Sequence, residues 1–426
     1  MEQILRFPSL GKVLAALTVI LLINRFTKKL ALAVLVGAVT LAFWSGHSPT
    51  DAALIAWNRL SALDNIFLMG IVFQIIWLSS QMKETGVMQD LVKSVRSGLS
   101  RRFSMAALPA VIGFLPMPGG ALFSAPLVDE CDKVKEVHSL LKTRVNYWFR
   151  HIWEFWWPLY PGVLLTLDIT SLAVWELIIL QFYLSLFAIL GGYLFLLRKV
   201  TSPKINTKHS SDHHFLYLVL PILVIITLYT SLMVFVPKLG YTSKYLPMVI
   251  GVLWALLVLQ IQRPLGWKSW KKIIFSSRTV NLAVVVALVR IYGAYIEAPL
   301  PDGSFLVEHM RMELDQMNIP IIVMVMILPF ISGVTTGLAV GFVGASFPIV
   351  ISLAGAAPEL GSLYSATVLA YTSGWVGMML SPVHVCLIVT NKFFNTRIFS
   401  SMVGLIRPCL VVLAGGVGIF FLVRSI

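Results

Sequence analysis

Residues 114–126 read FLPMPGGALFSAP. The stretch lies in a strongly apolar region, yet it holds three prolines and two adjacent glycines. Proline removes a backbone donor and clashes with the preceding turn, and glycine weakens a helix further, so no continuous helix runs through it. A helix breaker therefore stands where a membrane span would be expected.

The surrounding chain makes the membrane setting plain. Of 426 residues, 58% are hydrophobic and only 12% are charged, against about 25% charged in a soluble domain. This composition predicts an all-α polytopic membrane protein. The longest polar connections run to about 20 residues, too few for a separate soluble core. Cys131, Cys386 and Cys409 lie far apart and form no disulfide or zinc spacing, so no metal and no cofactor are expected. The apolar run that begins the sequence has no small-residue cleavage site after it and is read as a retained first span.

A spanning helix needs roughly 20 apolar residues. Spans are expected near 9–24, 29–46, 64–82, 145–167, 172–197, 215–236, 243–262, 279–297, 362–390 and 403–424. Two further apolar regions, 104–128 and 319–354, are interrupted by Gly, Pro, Ser and Thr and are read as re-entrant hairpins. With ten spans and two hairpins, alternate connections fall on opposite sides. One side collects 23 of the 33 Lys and Arg, the other seven, and Arg150, Arg290 and Arg407 stay within spans. The positive-inside rule makes the basic side cytoplasmic and places both termini outside. The net charge of +14 is thus topological. It implies contact with anionic membrane lipids and no nucleic-acid partner.

The interrupted stretch has a second copy. GGALFSAPLV (119–128) lies over GFVGASFPIV (341–350) at an offset of 222, matching Gly119 with Gly341, Ser124 with Ser346, Pro126 with Pro348 and Val128 with Val350. Downstream, LYPGV (159–163) and LSPVH (380–384) align at an offset of 221. Each half then contains three spans, a hairpin, a broken span and a final span. Five crossings per half turn the second half upside down. The expected organisation is a first inverted repeat at 1–198, a cytoplasmic linker at 199–214 and a second repeat at 215–426. Irregular backbone at membrane depth is tolerated only where protein buries it or where it lines a cavity. Paired Gly/Pro-interrupted segments in two inverted halves point to a transporter binding site.

Candidate site residues follow from these breaks. In the first hairpin, Gly119 and Gly120 allow close backbone approach, half-helix N-termini favour anions, and Ser124 offers a hydroxyl. The second, SGVTTGLAVGFVGAS (332–346), offers Ser332, Thr335, Thr336 and Ser346. Small-residue helix packing is the plainer reading of both. The first broken span, NYWFRHIWEFWWPLYPG (146–162), carries Arg150, His151 and Glu154. Intramembrane ionisable residues are functional candidates. Arg150 is either a counter-charge for an anionic substrate or an i,i+4 partner of Glu154. The tryptophans of this run form either a packed wall or a stacking surface. The second broken span, YTSGWVGMMLSPVHV (371–385), offers Thr372, Ser373, Gly374 and His384. His151, Glu154 and His384 are the candidate proton carriers. Arg290 either snorkels, meets a subunit interface or pairs with an acid, and Arg407 snorkels to the cytoplasmic surface. HExxH, GxSxG and P-loop motifs are absent.

The paired PMPGGALFSAP and GFVGASFPIV stretches, each followed by a proline-broken span, resemble the ion transporter superfamily of gluconate permeases, citrate and dicarboxylate carriers, and arsenite permeases. FLPMPGGALFSAPLVDE is most similar to a family of prokaryotic membrane proteins that carries a domain-of-unknown-function name. The resemblance implies two inverted repeats, a dimerising scaffold part and a transport part that moves like an elevator. It implies that the hairpin tips and the breaks near 157–161 and 372–377 hold substrate. The Ser-Asn-Thr tips of the sodium–dicarboxylate members are missing, which removes the motif for sodium coupling and for dicarboxylates.

The resulting expectation is a homodimeric secondary transporter of a small organic anion in a prokaryotic plasma membrane. The proton is the preferred coupling ion and sodium the alternative. Two other readings stay open. One is an exporter of a neutral or amphipathic metabolite, suggested by the aromatic run at 147–160. The other is a membrane enzyme using DECDKVKEVH (129–138), which reads better as a solvated amphipathic connection.

Overall fold

In a bilayer every backbone N–H and C=O must find its partner within the protein, so apolar runs resolve as helices. The computed structural model describes residues 7–96, 99–114, 120–132, 135–200, 214–355 and 363–424. Among the described residues the regular elements are helical, apart from an isolated bridge between Pro299 and Phe305.

Six helices are long and apolar enough to cross a membrane unaided: Ser9–Thr27, Leu63–Glu84, Val174–Lys199, Leu216–Phe235, Trp267–Glu297 and Ile406–Arg424. Each overlaps an expected span. Leu30–Trp44 and Leu246–Gln262, also expected as spans, are apolar but only 15 and 17 residues long. The two interrupted regions are pairs of helical arms, Arg101–Gly113 with Ala121–Glu130 and Ile321–Thr336 with Ala339–Gly355. Each arm contains a proline: Pro109, Pro126, Pro329 and Pro348. The two proline-broken spans are Ser139–Arg150 with Pro161–Thr170, and Leu363–Met379 with Val385–Phe394.

Several short helices were not expected. Pro49–Ser61 starts at the cap residue Ser48, whose hydroxyl accepts from the Asp51 N–H at 3.1 Å, with proline in its first turn. Leu306–Gln316 runs into the arm Ile321–Thr336 through a bend of 111°. Both are too polar and too short to register as spans, so hydropathy passes over them.

Packing sorts the helices into an outer and an inner group. In the outer group Ser9–Thr27 packs on Leu30–Trp44, which packs on Ser277–Glu297; Leu63–Glu84 and His214–Phe235 both pack on Leu246–Gln262. In the inner group the arms pack on the broken helices, and Leu363–Met379 and Val174–Phe195 both pack on Ile406–Arg424. An ion pair of 2.5 Å between Asp168 and Arg290 links the groups. The Tyr245 hydroxyl donates to Asp168 at 2.9 Å, and Lys244 donates to the Leu167 carbonyl at 2.9 Å. Arg290 is thus the partner of a buried acid.

Within the connection at 129–138, Glu130, Lys135, Glu136 and His138 are exposed as expected, and Asp132 departs from that pattern. The Asp132 side chain is fully buried. It pairs with Lys142 at 2.8 Å and Arg101 at 3.4 Å, and accepts from the Glu136 and Val137 N–H groups at 3.1 and 3.0 Å. Four donors converge on one carboxylate, so the acid is an anchor between the first hairpin and the first broken helix. Periodicity cannot reveal this, because the donors come from four separate positions.

Candidate functional site

The first broken helix stops at Arg150, and a run of turns follows to Pro161. Aromatic side chains tie this break to the first hairpin. The Trp153 and Trp157 indoles donate to the Ala110 and Phe114 carbonyls, each at 2.9 Å, and the Tyr160 hydroxyl donates to the Gly113 carbonyl. At Gly113 the hairpin backbone meets the helix backbone: a Cβ there would lie 2.2 Å from the Arg150 carbonyl oxygen. Trp148 and Trp156 donate to the Ala188 carbonyl and the Ser185 hydroxyl, both at 2.8 Å. The tryptophan run is thus anchored into packing.

The second half repeats this docking. At Gly333 a Cβ would lie 2.3 Å from the Gly374 carbonyl oxygen, against the second broken helix. The arm ends at Gly337, whose φ is 63°; a Cβ there would lie 2.8 Å from the His384 backbone nitrogen, which leaves no room for a side chain. The Ser381 hydroxyl donates to the Val334 carbonyl at 2.6 Å.

The two breaks then meet each other. His151 Nε2 lies 3.1 Å from His384 Nε2. The Tyr147 hydroxyl reaches the Met378 and Met379 carbonyls at 3.4 and 3.3 Å, and the Tyr371 hydroxyl donates to the Glu154 carbonyl at 2.5 Å. Arg150, 3% exposed, sets its guanidinium over Gly120 at the start of Ala121–Glu130; a Cβ at Gly120 would lie 2.6 Å from it. A cation and the positive end of a helix dipole face the same place. Several buried polar atoms here have no hydrogen-bond partner among the described residues: Glu154 Oε2, Ser332 Oγ, Ser373 Oγ and His384 Nδ1.

The structure therefore brings Gly120, Arg150, His151, Glu154 and His384 to the breaks; Ser332 lies inside the arm Ile321–Thr336, and Ser373 and Gly374 lie inside Leu363–Met379, which runs unbroken through the expected break at 372–377, so the second break falls after Met379, at 380–384. Other candidates are engaged locally. Thr335 is half-exposed and donates to the Ile331 carbonyl at 2.8 Å; Thr336 is buried and donates to the Ser332 carbonyl at 2.7 Å. Thr372 donates to the Val368 carbonyl at 2.7 Å and packs against Gly416 of the last helix. Ser346 donates to the Phe342 carbonyl at 2.7 Å, and Ser124 makes a long bond of 3.5 Å to the Gly120 carbonyl. Gly119 lies outside the described residues.

Sequence reading missed Tyr147, Tyr160, Tyr371 and Cys386, and also the docking glycines. A signal for the glycines was present. LPAVIG (108–113) lies over LPFISG (328–333) at an offset of 220, matching Leu108, Pro109 and Gly113 with Leu328, Pro329 and Gly333. Cys386 had no such signal, since it meets His151 only through the fold.

The fold resembles that of a solved transporter, YdaH of Alcanivorax borkumensis, with a TM-score of 0.58 over 86% of each chain at 11% sequence identity. No curated protein matches the sequence. The family described as protein of unknown function (DUF401) matches residues 10–423, and the chain belongs to that family.

Proposed function

We propose that the chain is a secondary transporter that moves a small organic anion across the prokaryotic plasma membrane. It works by elevator-like alternating access coupled to protons. The observation that carries this reading is the buried Arg150 guanidinium set over Gly120, at the place where two broken helices meet. Ionisable groups buried at membrane depth mark functional sites, and a carboxylate cargo is a fitting counter-charge for a guanidinium set at a helix N-terminus. Glu154, His151 and His384 line the same place and are the proposed proton carriers.

Crossed packing supports two inverted repeats at 1–198 and 215–426, joined by the 199–214 linker. The arm Ala121–Glu130 packs on Val385–Phe394, while its counterpart Ala339–Gly355 packs on Pro161–Thr170. The final helices of the two halves, Val174–Phe195 and Ile406–Arg424, pack on each other. A twofold relation requires both features. Contacts between connections support the ten-span topology with re-entrant hairpins. Asp90 and the Thr85 carbonyl bind Arg263, the Val200 carbonyl binds Arg102, and the Ser400 carbonyl binds Arg144. All of these belong to the side assigned as cytoplasmic. Arg59 binds Glu297, Glu313 binds the Ser9 and Leu10 N–H groups, and Tyr364 binds Glu176, all on the side assigned as external. The inner group would be the moving body, and the outer group the scaffold through which two copies pair.

The tryptophans are spent on packing bonds, which weakens the case for an amphiphile exporter. Asp132 is held by Lys142 and Arg101, which weakens the case for an enzyme at 129–138. The test is thermal stability of purified protein across a panel of small carboxylates, with and without sodium. A ligand that binds only the folded state at 100-fold above its Kd adds about 2.7 kcal/mol. One organic acid should raise the melting temperature of the wild type and fail to do so in Arg150→Gln. A shift seen only with neutral amphiphiles would sink the anion reading, and a shift that needs sodium would sink proton coupling.

A further inference from the structure

The geometry points to a transition-metal site at His151 Nε2, His384 Nε2 and Cys386 Sγ, of the class that takes Zn²⁺. All three residues are buried, and their donor atoms lie within 4.8 Å of one another. The imidazole rings stand at 80° with centroids 4.8 Å apart, so the two Nε2 atoms face each other at 3.1 Å. Ligands at about 2.0–2.3 Å from one tetrahedral ion lie about 3.3–3.6 Å from each other, so modest side-chain rotation closes the set.

The hydrogen bonding around the set favours a cation. His151 Nδ1 lies 2.6 Å from the Tyr147 carbonyl, which can only accept, so Nδ1 carries the proton. In the neutral ring, the lone pair of His151 Nε2 then points at His384. Metal-bound histidines are typically held in this way, with the other ring nitrogen donating to a backbone carbonyl. His384 starts the second half of its broken helix, and its Nδ1 has no hydrogen-bond partner among the described residues. Cys386 follows two residues later and supplies the soft donor that, with imidazole, suits Zn²⁺ and Cu⁺ rather than Mg²⁺ or Ca²⁺.

Three donors leave a fourth position open. Arg150 neighbours the Cys386 sulfur but has no lone pair to give. The fourth ligand would be water or a carboxylate from outside the chain. A metal here competes with the proton for the same imidazole lone pairs, and Glu154 then remains as proton carrier. The site joins the two halves, since His151 belongs to the first broken helix and His384 and Cys386 to the second.

Cobalt titration tests the inference on the whole protein, purified in detergent and stripped with a chelator. The wild type should take up about one Co²⁺ per chain, with visible bands of a tetrahedral ion and a near-ultraviolet thiolate-to-cobalt band, and Zn²⁺ should abolish both. Cys386→Ser should lose the thiolate band. His384→Gln should weaken binding at least 100-fold, beyond the 10–100-fold typical of an outer-shell change. The wild-type spectrum stands without any variant, so a variant that fails to fold does not blunt the test. Absence of retained Co²⁺ and Zn²⁺ in the wild type would overturn the inference, as would a thiolate band that survives Cys386→Ser. The result is separable from the cargo: a chain that binds metal but no carboxylate keeps this site and loses the anion reading.

Discussion

Gly113→Ala and Gly333→Ala should damage the protein to a similar degree, because the two glycines do the same job in the two halves. A Cβ at 113 would lie 2.2 Å from the Arg150 carbonyl oxygen, and one at 333 would lie 2.3 Å from the Gly374 carbonyl oxygen and 2.7 Å from the Met378 nitrogen. Ordinary contact begins at 3.4 Å, so each hairpin arm must retreat by about 1 Å. The obstructing atoms are backbone, and no side-chain rotation relieves the clash. Overpacking of a close-packed interior typically costs about 1–3 kcal/mol, and backbone obstruction places both variants at the upper end. Gly418 is the control. It lies in Ile406–Arg424 with nothing within 4 Å of its added Cβ. Gly418→Ala should be neutral or stabilise by up to about 1 kcal/mol through helix propensity. The assay is thermal unfolding of the three variants and wild type in the same detergent, followed by tryptophan fluorescence. Wild-type melting of Gly113→Ala and Gly333→Ala would refute the matched docking, as would an equal loss in Gly418→Ala.

Three other outcomes follow from buried charges. Asp132→Asn should destabilise by about 3 kcal/mol, since removing one member of a buried ion pair strands its partners. Burial alone would raise the Asp132 carboxyl, but hydrogen bonds from Lys142, Val137 and Glu136 and the Lys142 charge outweigh it and hold the group below the ordinary carboxylate range. A depressed carboxyl contributes stability that is complete above its unfolded value and is lost as pH falls through its folded value. The wild type should therefore lose stability as pH drops below about 4, and Asp132→Asn should show a flatter acid limb in melting temperature against pH. At the junction of inner and outer groups, Asp168→Asn and Arg290→Met should each lower the melting temperature more than the double variant does, because the double variant leaves no unpaired charge. A double variant that melts at the sum of the two losses would show that the pair is not coupled. Glu154→Gln should abolish uptake driven by a pH gradient while sparing exchange of labelled for unlabelled cargo, and loss of both in a folded variant would assign Glu154 to binding instead.

Much of the fold was legible because the membrane imposes it. The ten apolar runs and two interrupted regions all appear as helices or pairs of helices near their expected bounds. The breaks of the two broken spans were readable from Pro158, Pro161 and Pro382, since proline acts on its own backbone, whereas Pro126 and Pro348 lie inside helical arms. Short helices such as Pro49–Ser61 and Leu306–Gln316 escaped because hydropathy responds to apolar length. The site was legible in part. Arg150, His151, Glu154 and His384 declare themselves as ionisable groups in apolar runs. The contact of His151 with His384 spans 233 residues of sequence, and no local pattern encodes it. Thr335 and Thr372 each place their hydroxyl proton on the carbonyl four residues earlier, a local bond that residue type alone does not reveal. The connection at 129–138 is solvated at Glu130, Lys135, Glu136 and His138, but the burial of Asp132 within it shows only once four donors are found around its carboxylate.

Transport in proteoliposomes addresses the central claim most directly. Protein reconstituted at one orientation-scored density would be offered the labelled carboxylate picked out by the thermal screen, under an imposed proton gradient. The account predicts accumulation against the cargo's own gradient, collapse of that accumulation when the proton gradient is dissipated, and its loss in Arg150→Gln that still reconstitutes. Accumulation unaffected by Arg150→Gln would contradict the assignment of the site. Movement of neutral amphiphiles with no movement of any carboxylate would contradict the account as a whole.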